Sequence, residues 1–133
     1  MYKKIHYQNG EYFSEEQILN WMVQILLGLS YVHDQKIIHR DIKSQNIFIQ
    51  NKYKVCIGDF GIAKIVNQTQ TKTLTTTLIQ GTPLYMSPES FNDPKSCNFK
   101  SDIWSLGCCF YEICNLKHAF GADSWNAVFN KVK

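Results

Sequence analysis

Asp41, Lys43 and Asn46 stand close together in the stretch His39-Arg40-Asp41-Ile42-Lys43-Ser44-Gln45-Asn46, and a further carboxylate follows in Asp59-Phe60-Gly61. A carboxylate and an amide carbonyl are oxygen donors suited to a hard cation such as Mg²⁺, and Asn46 and Asp59 fit those roles. Lys43 is a mobile point charge suited to a phosphate. Phosphoryl transfer needs such a set, because the attacking hydroxyl must be held in line while the phosphate charge is neutralised. Each piece alone is weak. A lone Asp-x-Lys reads as a surface ion pair, and an Asp-Phe-Gly as a turn.

Order and spacing add the weight. Gly81-Thr82-Pro83, Ser87-Pro88-Glu89 and Asp102-Ile103-Trp104-Ser105-Leu106-Gly107 follow in sequence. Together with the first two motifs they resemble the catalytic loop, metal-binding motif, substrate loop and central helix of eukaryotic protein kinases. Lys43 and Thr82 resemble the Ser/Thr class. Ile42–Phe48, Gly58–Lys64, Gly81–Glu89 and above all Leu116-Lys117-His118-Ala119-Phe120 resemble the NIMA-related (Nek) kinases.

The resemblance covers nearly the whole chain and implies roles. Asp41 would accept the hydrogen bond of the substrate hydroxyl, with Lys43, Asn46 and Thr82 completing the catalytic set. Lys43, Asn46, Phe48 and Asp59 would contact the nucleotide, and Asn46 and Asp59 its Mg²⁺. His39, Phe60, Glu89 and Asp102 would be structural, the first two as buried spine residues and Asp102 as an anchor of the catalytic-loop backbone. Arg40 would pair with a phosphorylated threonine of the Thr-rich stretch 69–77, with Thr76 and Thr77 the best candidates. Ile62, after the Gly of Asp-Phe-Gly, goes in related kinases with a preference for threonine substrates. The implied reaction is transfer of the ATP γ-phosphate to a protein Ser or Thr, and the implied setting is cytoplasmic, at cytoskeleton, centrosome or cilium.

These residues need elements to hold them. Ser14-Glu15-Glu16-Gln17 is a capping box, and Ile18, Trp21, Met22, Ile25, Leu29 and Val32 follow at near-helical spacing. The pattern predicts a helix over 14–33, apolar on more than one stripe and so buried on several sides. Short β-branched runs at 37–38, 47–49 and 53–57 predict strands, with a turn at 50–52. A second helix is predicted over 101–115, buried nearly all round, and another beginning at Trp125. The polar stretch 67–77 reads as a loop. The expected fold is mainly α with short β-hairpins, a single kinase-like unit over 1–133.

With 133 residues, 44% hydrophobic and 19% charged, the chain has ordinary globular composition. Its net charge of +3 gives no argument for nucleic acid or membrane. No apolar run approaches the ~20 residues of a bilayer span, and residues 1–6 lack a signal-peptide core. The five cysteines are odd in number and form no C-x-x-C, which argues against a zinc site or a disulfide framework and for mostly buried free thiols. Of 14 basic residues only Arg40 is an arginine.

The seven glycines form no G-x-G-x-x-G, and Lys64, though preceded by Ile62-Ala63, lies on the wrong side of Asp-Phe-Gly to be the ATP-binding lysine. The resemblance therefore implies a partial C-terminal lobe lacking the N-lobe, inactive alone. The alternative is a non-catalytic, kinase-derived binding module. No arginine follows Arg40, so Glu89 is expected to lack the partner it has in the family. Exposed apolar surface and self-association are further expectations.

Overall fold

The molecule is a computed structural model that describes residues 1–6, 10–66 and 83–133. Elements run α1 (Tyr2–His6), α2 (Glu15–Asp34), β1 (Ile37–Ile38), β2 (Ile47–Asn51), β3 (Lys54–Ile57), β4 (Lys64–Ile65), α3 (Pro88–Asn92), α4 (Phe99–Asn115) and α5 (Trp125–Val132), with single 3₁₀ turns at Ser44–Asn46, Pro83–Tyr85 and Pro94–Ser96. The chain is mainly helical with short antiparallel ladders, as its pattern predicts.

The first long helix starts where its cap residue places it: the Ser14 hydroxyl accepts from the Gln17 amide at 3.3 Å. The reciprocal half of the expected box does not form. Gln17 instead donates through Nε2 to the Lys52 carbonyl at 2.7 Å, tying α2 to the turn between β2 and β3. Only one stripe of α2, Trp21, Ile25 and Leu29, is buried. Full burial of each aliphatic one contributes roughly 1.5–3 kcal/mol. Leu19, Val23, Leu27 and Tyr31 form a second stripe that is exposed, which corrects the expectation of burial on several sides.

Helix α4 carries the complete box that α2 lacks. Asn98 Oδ1 accepts from the Lys100 amide at 2.8 Å, and Ser101 Oγ accepts from the Asn98 amide at 3.0 Å. Its inward face buries Leu106, Cys109 and Ile113 together with Asp102 and Glu112. Ile103 and Tyr111 are exposed, so this helix too is buried on one side rather than all round. It ends at Leu116 in the left-handed region, φ 55°. Trp21, Ile25 and Leu29 of α2 share one core with Leu106, Cys109 and Ile113 of α4 and with Ile42, Ile47 and Val55. No described helix is long and apolar enough to cross a membrane.

Two nested ladders hold the loops between the long helices. Strands β2 and β3 form a hairpin, with Ile47 opposite Ile57 and Phe48 opposite Cys56. Outside it, β1 and β4 pair Ile37 with Ile65 and Ile38 with Lys64. The β-branched residues suit these pleated, half-buried positions. Residues 39–46 thus lie between β1 and β2, and residues 58–63 between β3 and β4, so the two candidate loops leave one small scaffold. The thiols are less buried than expected: Cys108 and Cys109 are buried, Cys56 and Cys97 partly so, and Cys114 is exposed.

Candidate active site

Asp102 organises the loop from beneath. It is 1% exposed and accepts three hydrogen bonds: from the His39 amide (2.9 Å), the Arg40 amide (2.9 Å) and, at Oδ2, His33 Nε2 (2.8 Å). Arg40 sits in the left-handed region at φ 70°. That conformation costs an L-residue roughly 1–2 kcal/mol. Two backbone bonds to a charged acceptor, each worth about 1.5–3 kcal/mol, outweigh it. The turn at Arg40 is therefore held by α4 rather than by local preference.

That turn presents Asp41. Lys43 Nζ donates to Asp41 Oδ2 at 2.7 Å, and Asn46 Nδ2 donates to the same oxygen at 2.9 Å and to the Asp41 carbonyl at 2.8 Å. The structure thus brings Asp41, Lys43 and Asn46 into contact. Asn46 spends its donor nitrogen on Asp41, which leaves its carbonyl oxygen as a possible ligand. The Asp41 amide donates to His39 Nδ1 at 3.3 Å.

His39, fully buried, bridges to the second loop. Its Nε2 lies 3.1 Å from the Gly58 carbonyl, and its ring packs on Phe60 with centroids 4.7 Å apart. The Gly58 amide donates to the Asn46 carbonyl at 3.0 Å. These bonds fasten the Asp59 loop directly against the Asp41 loop. Asp59 is exposed and left-handed at φ 63°, and its Oδ1 accepts from the Gly61 amide at 3.3 Å. An Asp tolerates that conformation better than most residues.

Two expectations, on Phe60 and Glu89, need correction. Phe60 covers His39 with its ring but is 45% exposed, not buried. Glu89 is not left without a partner, since Ser101 Oγ donates to its Oε1 at 2.6 Å. Burial works against its charge, but the hydroxyls of Ser101 and Ser87 and its own backbone amide together hold it below the usual carboxylate range. Phe48 is half exposed, with its ring edge over Gly58. The Arg40 guanidinium has no ion-pair partner among the described residues. Thr76, Thr77 and Thr82 lie outside the described residues.

One network escaped the sequence reading. Glu112 is fully buried and accepts from Tyr85 OH at 2.6 Å and Ser44 Oγ at 3.1 Å, with His6 Nε2 at 2.7 Å. It ties the catalytic-type loop, through Ser44, to α4 and to the turn at Pro83–Tyr85. Burial, reinforced by Glu112, pushes the Tyr85 hydroxyl far up, so it stays a donor. The signal was a lone carboxylate beside Cys109 and Ile113 on the buried face of an apolar helix, where a charge is costly unless satisfied. His33, which bonds Asp102, was missed for want of any local motif.

Residues 2–133 match the protein kinase domain family. The chain is 52% identical over 99% of its length to serine/threonine-protein kinase Nek1 of Mus musculus, of which it covers 11%. It is 50% identical over 98% of its length to Nek5 of Homo sapiens, covering 18% of it. It is also 44% identical over 99% of its length to Nek3 of Oryza sativa, covering 22% of that protein. The chain thus spans between about a tenth and a quarter of the relatives it matches. A satisfied Asp–Lys–Asn constellation on this scaffold, together with these matches, places the chain in the protein kinase family, within its NIMA-related branch.

Proposed function

We propose that this chain supplies the phosphoryl-transfer loops of a Ser/Thr protein kinase that moves the ATP γ-phosphate to a protein hydroxyl. The observation that carries it is the shared oxygen of Asp41, bonded at once by Lys43 and Asn46. Those bonds fix the carboxylate that faces the attacking hydroxyl. The other lone pairs of Asp41 accept the hydroxyl's hydrogen bond and orient it in line. The Lys43 ammonium is then poised to move from Asp41 to the phosphoryl oxygens. Phe48 and Gln45 line a shallow hollow beside the loop, where a half-exposed ring offers a base an apolar surface.

The donor set suits Mg²⁺, because the Asn46 carbonyl and the Asp59 carboxylate offer hard oxygens from two loops fastened together. When bound, the ion would neutralise phosphate charge. Asn46 and Asp59 would hold it, while the His39–Gly58 and Gly58–Asn46 bonds keep the two loops in register.

The reading includes a division of labour. No G-x-G-x-x-G occurs in these 133 residues, and the reading assigns the grip on the nucleotide phosphates to a separate glycine-rich segment. Residues 1–133 alone should show weak Mg·ATP binding and no turnover. The same residues joined to the glycine-rich segment of a Nek relative should phosphorylate a generic Ser/Thr substrate, and Asp41→Asn should lower that rate by at least about 100-fold. Robust turnover by residues 1–133 alone would refute the division of labour. Full activity in Asp41→Asn would refute the assignment of Asp41.

A further inference from the structure

We propose that His6, Glu112 and His118 form a Zn²⁺ site. One ligand atom from each lies within 4.8 Å of the other two. They come from three separate parts of the chain, namely α1, α4 and the loop after α4, so helical periodicity does not account for their meeting. The carboxylate is fully buried. His6 Nε2 is 2.7 Å from its Oε1, and His118 Nδ1 is 3.6 Å from the same atom. That second nitrogen is the independent signal: it is buried and has no hydrogen-bond partner among the described residues. A buried ring nitrogen normally finds one.

Two imidazoles and one carboxylate are a zinc donor set, completed to a tetrahedron by water. Ligands at ~2.0 Å from a tetrahedral ion lie roughly 3.3 Å apart, so small side-chain rotations close the triad. The surroundings are already those of a metal centre. Tyr85 and Ser44 donate to Glu112 and hold its orientation, as outer partners do at established sites. Tyr2 packs on the His6 ring at 4.2 Å and Tyr85 meets the His118 ring edge-on at 5.7 Å, which screens the ligands from water. The His6 side chain is 25% exposed and gives the ion access. On binding, Zn²⁺ takes the place of the proton between His6 Nε2 and Glu112; a neutral ring then keeps its one proton on Nδ1, and a doubly protonated ring releases its second to solvent. The ion would clamp α1 to α4 and, through Ser44 and Tyr85, brace the Asp41 loop. The cysteines take no part.

The test uses untagged protein of residues 1–133 titrated with Zn²⁺ against a chromophoric chelator, and with Co²⁺ followed by absorption. One equivalent should bind and raise the melting temperature, and Co²⁺ should give tetrahedral d–d bands without a thiolate charge-transfer band. Glu112→Gln removes a buried, multiply bonded charge, so the partly exposed His6→Ala and His118→Ala carry the test. Each should weaken binding by more than about 100-fold, beyond the loss known for outer partners. Asp59→Asn and the Cys97→Ser/Cys114→Ser pair should bind as before. Unchanged binding in both histidine variants, a thiolate band, or no binding by the folded chain at micromolar metal would overturn the proposal. Retention in Asp59→Asn keeps it separate from the phosphoryl-transfer reading.

Discussion

Asp102→Asn tests the claim that α4, not local preference, shapes the loop that carries Asp41. The substitution keeps size and shape. Its single acceptor oxygen can serve the His39 amide and His33, but its nitrogen then points a donor at the Arg40 amide, now 2.9 Å from Oδ1. One backbone donor is left unsatisfied, at a cost of about 1–3 kcal/mol, and each remaining bond drops from charged to neutral acceptor, at about 1 kcal/mol. The total is roughly 3–5 kcal/mol, a large share of the 5–15 kcal/mol typical of a domain. With a urea slope of about 2 kcal/mol/M, the midpoint should fall by about 1.5–2.5 M. Tryptophan fluorescence provides the readout. Arg40→Gly is the companion variant: it relieves the φ 70° strain, so it should recover ~1 kcal/mol in the Asp102→Asn background. A stability within about 0.5 kcal/mol of wild type for Asp102→Asn would refute the reasoning, since that is the range of an inert surface change.

Three further outcomes follow from particular contacts. A Cβ at Gly58 would lie 2.9 Å from the Phe48 ring, so Gly58→Ala should cost about 1 kcal/mol, recovered when Phe48→Ala is added; thermal melts of the four-member cycle measure the coupling, and additivity counts against the contact. Glu89 is held below its ordinary value of 4.5, so its contribution is present above that pH and fades as acid protonates it; Ser101→Ala should flatten the fall in melting temperature below pH 4.5, and an unchanged slope would exclude the Ser101 bond as the cause. Burial pushes the Cys108 thiol up to about 12 and Cys109 well above its usual value, whereas Cys114 is exposed; a thiol reagent at pH 8 should label Cys114 quickly and the other two only after denaturation, as read by mass spectrometry of the peptides.

The elements were legible where the chain carries its own signals. Ser14 announces α2, the β-branched runs announce β1, β2 and β3 but not β4, and Trp125 begins α5. The Asp41 constellation was legible because its members are neighbours in sequence. What stayed hidden depends on distance along the chain. Gln17 abandons its capping box for a carbonyl at Lys52, His33 finds Asp102, and Ser44, Tyr85 and Glu112 meet from three separate segments. A local pattern cannot choose between a reciprocal cap and a tertiary acceptor of equal chemistry. Nor does helical periodicity say which of two apolar stripes on α2 finds a partner. Trp21, Ile25 and Leu29 meet α4 and the hairpin; Leu19, Val23 and Leu27 do not.

The nesting of the two ladders has a kinetic consequence. The β2–β3 hairpin closes between residues a few positions apart, within microseconds once collapsed. The β1–β4 pair joins Ile37 to Ile65 and must wait for everything between them. Among the described residues, only two residue pairs and the Val66 amide on the Lys36 carbonyl hold that outer clasp. It should open by itself in the native protein, long before the hairpin does, and amide deuteration should be quickest there. Its opening would loosen residues 60–66 without global unfolding, while the His39–Gly58 and Gly58–Asn46 bonds still hold Asp59 beside the Asp41 loop.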